Sequence, residues 1–594
     1  MRRPRTERQS VRASRSVQAC PHAGSGTADM ATRIIIVGGV AAGMSAATRL
    51  RRLDESAEIV VFERGRHVSF ANCGLPYHVG GVIEERSSLL LQTPQSLRSR
   101  FALDVRTEQD VTAIDREART VTARDSRTGT TLTEAYDYLI LAMGGTPPQT
   151  TPAAGDAPPV VTLRSIEDVD RVTDVLASLP AATAARAVVM GAGFIGLEAT
   201  ENLVRRGLAV TLVQRGAHPL SPLDPEMASP VADELARHGV DLRTGTTVTG
   251  LTPTGVTLSD GADVTAQLVI DARGIGPAAH LATAAGLRLG PSGGIAVDGH
   301  HRTDDPRVFA VGDAAEKTDA VSSEPTLVTM AGLANRHGRA AADVIGWETG
   351  HLDAPPAAAS PALGTAIVGL FDLTIALVGW SEQRLTAAGR AHRVIHTHPT
   401  DHAGYYPGAE RMAMKVMVDP DTGLILGAQI VGGRGVDKRI DVIATAMHAR
   451  LPAAELAQLE LAYAPQYASA KDPLNMVGYI ADNLASGVTD TLQWHELPAA
   501  MAAGATLIDV RSPQEYEGGA IPGSVNIPLD TLRDGVDALP GGDLIVHCQV
   551  GQRGHTAARI LAQCGRRVRN LDGGYLTWQA GTHATERVGE MASA

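Results

Sequence analysis

The sequence predicts an α/β chain carrying two Rossmann-like dinucleotide-binding units. Three observations predict it. A buried-strand pattern from Arg33 to Val37 runs into Gly38-Gly39-Val40-Ala41-Ala42-Gly43 and then an amphipathic helix to about Arg52. The same order recurs where Ala187 to Met190 leads into Gly191-Ala192-Gly193-Phe194-Ile195-Gly196. Finally, 62 glycines and 44% apolar residues in a chain of 594 suit glycine-turned α/β domains rather than a fibrous or disordered polymer. At roughly 150 residues per domain, the length allows three to five domains.

In the first unit, Gly38 permits a tight turn and Gly43 lets helix and strand approach closely. The helix N-terminus then faces a pyrophosphate. A second strand, Glu58 to Phe62, ends at Glu63, which can accept from ribose hydroxyls, with Arg64 next to it. Val40 departs from the motif at its second glycine. In the second unit, strand Ala209 to Val213 ends at Gln214, followed by Arg215. Two motifs in order, each with its strands, favour two bound nucleotides over two empty tight turns. A third segment, Arg307 to Ala314, is a strand ending in Gly312-Asp313, where an Asp can hold the ribityl hydroxyls of a flavin. Tyr138 to Ala142, with Gly144 and Gly145, forms the crossing between units. The predicted order is an FAD-binding domain at 31–150, an NAD(P)-binding domain at 151–270 and a return to the FAD-binding domain at 271–350. Gln214 lacks the carboxylate that would repel a 2′-phosphate, and Arg215 can bind one. This predicts use of NADPH at least comparable to NADH.

Ser69-Phe70-Ala71-Asn72-Cys73-Gly74-Leu75-Pro76-Tyr77 follows shortly after Glu63. A thiol there lies where the reactive ring of a flavin is expected. The other cysteines, Cys20, Cys548 and Cys564, are far away in sequence. The redox partner of Cys73 is therefore a substrate sulfur, or oxygen in a sulfenic acid.

Composition excludes other classes. Net charge is −12 without a long basic run in the body, which argues against nucleic acid. Four scattered cysteines make no disulfide framework, and no Cys/His cluster predicts a metal site. Free thiols imply a reducing, cytoplasmic compartment. Residues 1–30 are Arg-rich without an apolar core, which predicts a disordered extension or an overcalled start before Met30, not a secretory signal. No apolar run reaches about 18 residues, so no membrane span is expected.

The segment around Cys73 resembles the single-cysteine coenzyme A–disulfide and persulfide reductases of the pyridine nucleotide–disulfide oxidoreductase family. So do Gly404-Tyr405-Tyr406-Pro407-Gly408, Gly435 to Asp441, Leu461-Ala462-Tyr463-Ala464-Pro465 and Ser469 to Met476. The resemblance runs from about Arg33 to about Asn483. It implies Cys73 as redox nucleophile, coenzyme A contacts from Ser45, Arg49, Arg52, Ser69 and Asn72, and Tyr406, Tyr463 and Lys471 reaching the active site from the other subunit of a homodimer. Arg49 and Arg52, three apart on one helical face, can grip a phosphate, although an ordinary solvated basic face reads the same way. Tyr406 and Tyr463 can equally be core aromatics, but two Tyr in Gly/Pro-rich loops of a chain with 3% aromatics lean toward function.

The C-terminal part is similar to a single rhodanese domain. Leu507 to Arg511, Ile521 to Pro528 and strand Leu544 to His547 precede Cys548-Gln549-Val550-Gly551-Gln552-Arg553, a loop opening a helix at about His555. Asn570 to Trp578 closes the segment. A cysteine at a strand end before a helix N-terminus sits among backbone N–H groups, and these, with Arg553, favour a thiolate and can hold a persulfide sulfur. The bland alternative is a buried inert cysteine. Cys564, inside the following helix, is expected in the core.

The fold class is thus α/β, with two Rossmann-like dinucleotide-binding domains, an α+β dimerisation domain (351–483), a linker (484–492), a C-terminal α/β rhodanese domain (493–585) and a tail (586–594). The expected function is reduction of coenzyme A disulfide, persulfide or polysulfide by NADPH or NADH through FAD and Cys73, with sulfane-sulfur transfer at Cys548. The competing readings are an NADH oxidase or peroxidase using a sulfenic acid, and a sulfurtransferase or sulfur sensor on a flavoprotein scaffold.

Overall fold

The computed structural model describes residues 31–148, 157–179 and 185–593. The extension at 1–30, with Cys20, lies outside the described residues. Strand β1 (Arg33–Val37) is an Ile/Val run buried on both faces, and the chain leaves it through Gly38 into helix α1 (Ala41–Leu53). Strands β2 (Glu58–Phe62), β3 (Asp104–Arg106) and β4 (Tyr138–Leu141) extend the sheet in parallel. Strands β1, β2 and β4 read as near-continuous apolar runs because other layers cover both faces, whereas β3, at the sheet edge, does not.

The chain then crosses into the second unit. Gly145–Thr146 pairs antiparallel with Gly276–Pro277, so the outgoing and returning segments are zipped together. The second unit comprises β5 (Val160–Val161), β6 (Arg186–Met190), α2 (Phe194–Arg205), β7 (Ala209–Val213), α3 (Pro225–Arg237), β8 (Asp241–Arg243) and β9 (Leu268–Asp271). Its parallel order is β8-β7-β6-β9-β5. On return, β10 (Val308–Ala310) pairs beside β4 and completes the first sheet as β10-β4-β1-β2-β3. Helix α4 (Ala331–Glu348) then packs along α1 so closely that a Cβ on Gly338 would overlap the Ala42 carbonyl.

Strands β11 (Ala366–Leu370), β12 (Leu373–Gly379), β13 (Arg393–Thr397), β14 (Met412–Val418) and β15 (Ile425–Gly432) form an antiparallel sheet in the order β11-β12-β15-β14-β13. Helices α5 (Val436–His448) and α6 (Pro473–Ala485) cover one face, while Val368, Ile375 and Val431 join the core of the second unit. Residues 486–490 lead to β16 (Thr491–Leu492), which already belongs to the last sheet. That domain adds β17 (Thr506–Asp509), β18 (Val525–Asn526), β19 (Leu544–His547), α7 (Gln552–Gln563), β20 (Val568–Leu571) and α8 (Gly574–Ser593), with parallel order β16-β20-β19-β17-β18. The expected tail beyond 585 is instead helix: α8 continues to Ser593, and Arg587 pairs with Asp233 of α3. Among the described residues, no helix is long and apolar enough to cross a membrane.

Candidate active site

The two glycine turns repeat one device. Gly38 and Gly191 adopt φ of +108° and +98°, open to glycine at little cost. A Cβ on Gly43 would overlap the Gly38 carbonyl oxygen, and one on Gly196 would overlap that of Gly191. Each turn is held by the side chain that follows the second strand. Glu63 accepts from the N–H of Gly39 at 2.8 Å and of Gly65 at 2.7 Å. Gln214 accepts from the N–H of Ala192 at 3.0 Å and donates to Ser221 Oγ at 2.9 Å. Arg215 is exposed beside it.

A cleft of about 1530 Å³ joins these turns. It brings together Gly38, Ala42, Glu63, Arg64, Ala142 and Gly144 from the first unit, and Gly193, Phe194 and Ile195 from the second. Asn72, Cys73, Gly312 and Asp313 line it as well. Gly39, Gly43, Gly191 and Gly196 belong to the same turns but do not line the cleft. Burial raises the Asp313 carboxyl above its ordinary range, against the opposing charges of Lys317 and Arg164. Lys317 donates to the carbonyls of Gly312 and Ala315 at 2.6 and 2.8 Å, and burial lowers its ammonium to about 8. Among the described residues no donor reaches the Asp313 carboxylate, which leaves an acceptor facing the cleft. That acceptor, the α1 N-terminus and Glu63 fit the ribityl chain, pyrophosphate and ribose of an FAD.

Cys73 lies in a 3₁₀ turn, Asn72–Gly74, that leads into the short helix Leu75–Val79. Ser69, at φ +47°, donates its backbone N–H to the Gly39 carbonyl at 2.8 Å, so the cysteine segment hangs from the dinucleotide turn. Asn72 Nδ2 donates to the Arg164 carbonyl at 3.2 Å. Burial and the Glu198 carboxylate both push the Cys73 thiol up. Burial raises Glu198 in turn, although the Tyr77 hydroxyl donates to it at 3.2 Å. No sequence motif marks Glu198, Arg164 or Lys317, and Tyr77 stands in the Cys73 segment without a role that the sequence assigns.

The remaining expected contacts divide. Ser45 Oγ donates to Asn335 Oδ1 at 2.6 Å, and Arg49 is ion-paired with Asp343 at 2.5 Å. Arg49 is therefore not a free phosphate grip in this chain, whereas Arg52 is exposed. The structure places Tyr406, Tyr463 and Lys471 on the surface of the dimerisation domain, outside the cleft. The two tyrosines are 43% and 49% exposed, so they are not core aromatics. Tyr405 and Tyr463 share a hydrogen bond of 2.9 Å between hydroxyls.

In the last domain, Cys548 is fully buried at the end of β19. Gly551, at φ +91°, opens α7 at Gln552, one turn before the expected start. The first amides of α7, which directly follow the Cys548 loop, have no partner within the helix. Arg553 reaches toward Cys548 but is bound through both nitrogens to Glu515, at 2.8 and 2.6 Å. Arg553, with Ser512, holds the Glu515 carboxyl at about 2. The positive charge beside Cys548 is thus shared with a carboxylate. Cys564 is not core: it is exposed as the C-cap of α7.

Two nucleotide turns facing one cleft with a cysteine at its wall define a flavin-dependent pyridine nucleotide oxidoreductase. The chain belongs to the pyridine nucleotide-disulphide oxidoreductase family, which it matches over residues 32–334, with the dimerisation domain of that family at 365–473. Residues 493–581 match a rhodanese-like domain. It is similar to the coenzyme A disulfide reductase of Staphylococcus haemolyticus, 34% identical over 76% of this chain and 100% of the relative. Among solved structures, reduced Bacillus anthracis CoADR-RHD aligns at a TM-score of 0.89 with 43% identity, over 94% of this chain and 99% of the other. A NAD-dependent persulfide reductase from A. fulgidus aligns at 0.83 with 34% identity, over 92% and 100%. This chain is an FAD- and NAD(P)H-dependent oxidoreductase that carries a rhodanese domain.

Proposed function

We propose that the protein reduces coenzyme A persulfide, and coenzyme A disulfide, through Cys73 alone. The observation that carries this reading is that Cys73 lies in the cleft between the Asp313 turn and the start of α2, while Cys548 and Cys564 belong to the last domain. Bound FAD supplies a two-electron relay from NAD(P)H to sulfur. Cys73 Sγ attacks the outer sulfur of a persulfide, forming Cys73–S–SH and releasing coenzyme A thiolate. The incoming electron pair breaks that S–S bond, which returns the Cys73 thiolate and releases hydrosulfide. With coenzyme A disulfide, one thiolate leaves on attack and the other on reduction. Burial and the Glu198 carboxylate, to which the Tyr77 hydroxyl donates, set how readily the thiol ionises.

Exposed Tyr406, Tyr463 and Lys471 suit a homodimer in which each subunit completes the other's cleft. Ser45, Arg49, Arg52, Ser69 and Asn72 are the proposed coenzyme A contacts, with Arg49 exchanging Asp343 for a phosphate. Three free thiols among the described residues suit a reducing, cytoplasmic setting. The test compares anaerobic NADPH and NADH oxidation with coenzyme A persulfide, coenzyme A disulfide, glutathione persulfide and hydrogen peroxide. Coenzyme A persulfide is expected to exceed peroxide by at least roughly tenfold, a difference of ~1.4 kcal/mol in barrier. Cys73→Ser is expected to abolish sulfur reduction with FAD still bound. Faster turnover of peroxide would make the protein a peroxidase.

A further inference from the structure

A band of buried charge ties the rhodanese domain to the two domains beneath it. His396 on β13 is 4% exposed. Its Nδ1 and its backbone N–H each lie 2.8 Å from Asp572 Oδ2, and its Nε2 lies 3.1 Å from Glu226 Oε1 on α3. Gln493 Nε2 donates to the same Asp572 oxygen at 3.2 Å. Below His396, Lys415 of β14 is wholly buried, pairing with Glu226 at 2.5 Å, Asp224 at 2.9 Å and Glu382 at 2.6 Å. Burial opposes it, but Asp572 and Glu226 raise His396 to about 9, so the ring is cationic between two carboxylates. A buried ion network contributes little net stability, and its better-attested use is to fix one geometry.

The other end of this network reaches the sulfur site. Asp572 is followed by Gly573 and Gly574, and that turn runs directly beneath the Cys548 loop. The Tyr575 N–H donates to the Cys548 carbonyl at 2.8 Å, and the Leu576 N–H to that of Gln549 at 3.1 Å. A Cβ on Gly574 would overlap the Cys548 carbonyl oxygen and crowd the Val550 and Gly551 nitrogens. From the opposite side, a Cβ on Gly573 would come within 2.7 Å of His396 Cβ. His398, just past the end of β13, lies 2.7 Å from Thr577 Oγ1. One turn therefore touches the dimerisation domain on one side and the amide cradle of Cys548 on the other.

We propose that Asp572, clamped by His396, is a positioning residue for sulfur transfer at Cys548, so that the reductase body holds the rhodanese loop in its working shape. The proposal rests on the reading of Cys548 as the sulfur carrier. In that reaction the Cys548 thiolate attacks the sulfane sulfur of thiosulfate. The S–S bond breaks, sulfite leaves with the electron pair, and Cys548 becomes a persulfide. Cyanide then takes the outer sulfur as thiocyanate and restores the thiolate.

The test uses the full-length flavoprotein with thiosulfate and cyanide. Asp572→Ala removes the acceptor shared by His396 and Gln493, and it is expected to lower kcat at least about tenfold with KM for thiosulfate changed less than about threefold. NADPH-dependent reduction of coenzyme A disulfide and the flavin content stay within about twofold of the parent. Asp572→Asn, which keeps an acceptor oxygen, restores kcat to within about threefold. His396→Ala gives a smaller fall, because the backbone N–H at 396 remains. Two outcomes overturn the proposal: Asp572→Ala with the parent kcat, or loss of both activities together with no rescue by Asn. A second readout does not need transfer activity. Iodoacetamide labelling of Cys548, followed by peptide mass spectrometry, is expected to speed up in Asp572→Ala while labelling of Cys73 is unchanged. If the parent transfers no sulfur, the carrier reading of Cys548 fails, while this labelling ratio still decides whether the clamp holds the loop. An unchanged ratio refutes it.

Discussion

At Cys73 the protein charges the thiol against its own chemistry. Burial and the Glu198 carboxylate both favour S–H over thiolate, while the attack on a persulfide needs thiolate. Removing the charge of Glu198 should therefore lower the thiol pKa, because a neighbouring anion disfavours the second negative charge. Glu198→Gln keeps a partner for the Tyr77 hydroxyl and is expected to speed Cys73 alkylation at pH 7 by roughly threefold to tenfold. The pH–rate profile of iodoacetamide labelling should move to lower pH by a matching amount. An unmoved profile would mean that burial alone sets the thiol. Coenzyme choice is a second question of one residue. Glu at 214 can keep the bond from the Ala192 N–H and accept from Ser221, so Gln214→Glu changes charge with little change of shape. It is expected to raise KM for NADPH roughly tenfold, through repulsion of a 2′-phosphate, with KM for NADH nearly unchanged. Equal effects on both coenzymes would show that Gln214 does not face the ribose.

The turn-helix elements make a sharper contrast than either residue type alone. At Gly43 a Cβ has no room, because the Gly38 carbonyl occupies it, whereas at Gly193 nothing lies within 4 Å. Gly43→Ala must push α1 away from β1 and open the first turn, so it should yield protein with at least about tenfold less FAD per chain. Gly193→Ala meets open space at the cleft wall, where we propose that the nicotinamide coenzyme lies. It should retain FAD and weaken NAD(P)H binding, as read from flavin absorbance and from KM. These turns were legible in the sequence because glycine placement and apolar strands are local signals. The site around them was less so. Arg49 is paired with Asp343, and Asn72 rests on the Arg164 carbonyl, across sequence gaps that no periodicity reports. Lys317 carries no local sequence signal, yet two carbonyls and burial make it part of the Asp313 turn. Cys564 fell in an amphipathic helix pattern but sits just past its last turn, where the pattern no longer decides burial.

For the whole molecule, the open question is whether two sulfur sites work independently. The sequence suggested two domains on a short tether. The structure instead docks the rhodanese domain through Asp572, Thr577 and Arg587 onto β13, the adjoining His398, and α3. Docking fixes the shape of the Cys548 loop, but it does not bring Cys548 into the cleft, which is lined by Cys73 and by none of the described residues of the last domain. Cys548→Ala should thus leave NADPH-dependent reduction of coenzyme A persulfide and disulfide within about twofold of the parent. It should abolish transfer of sulfane sulfur from thiosulfate, because Cys564 is exposed at the C-terminal end of α7, away from the first-turn amides beside Cys548. Both activities can be measured on the same preparations, with flavin content as the common reference. Retained thiosulfate transfer in Cys548→Ala would remove the rhodanese assignment from Cys548. Loss of persulfide reduction with flavin intact would mean that sulfur reaches Cys73 only by way of Cys548. The docked arrangement would then be a transfer path rather than a support.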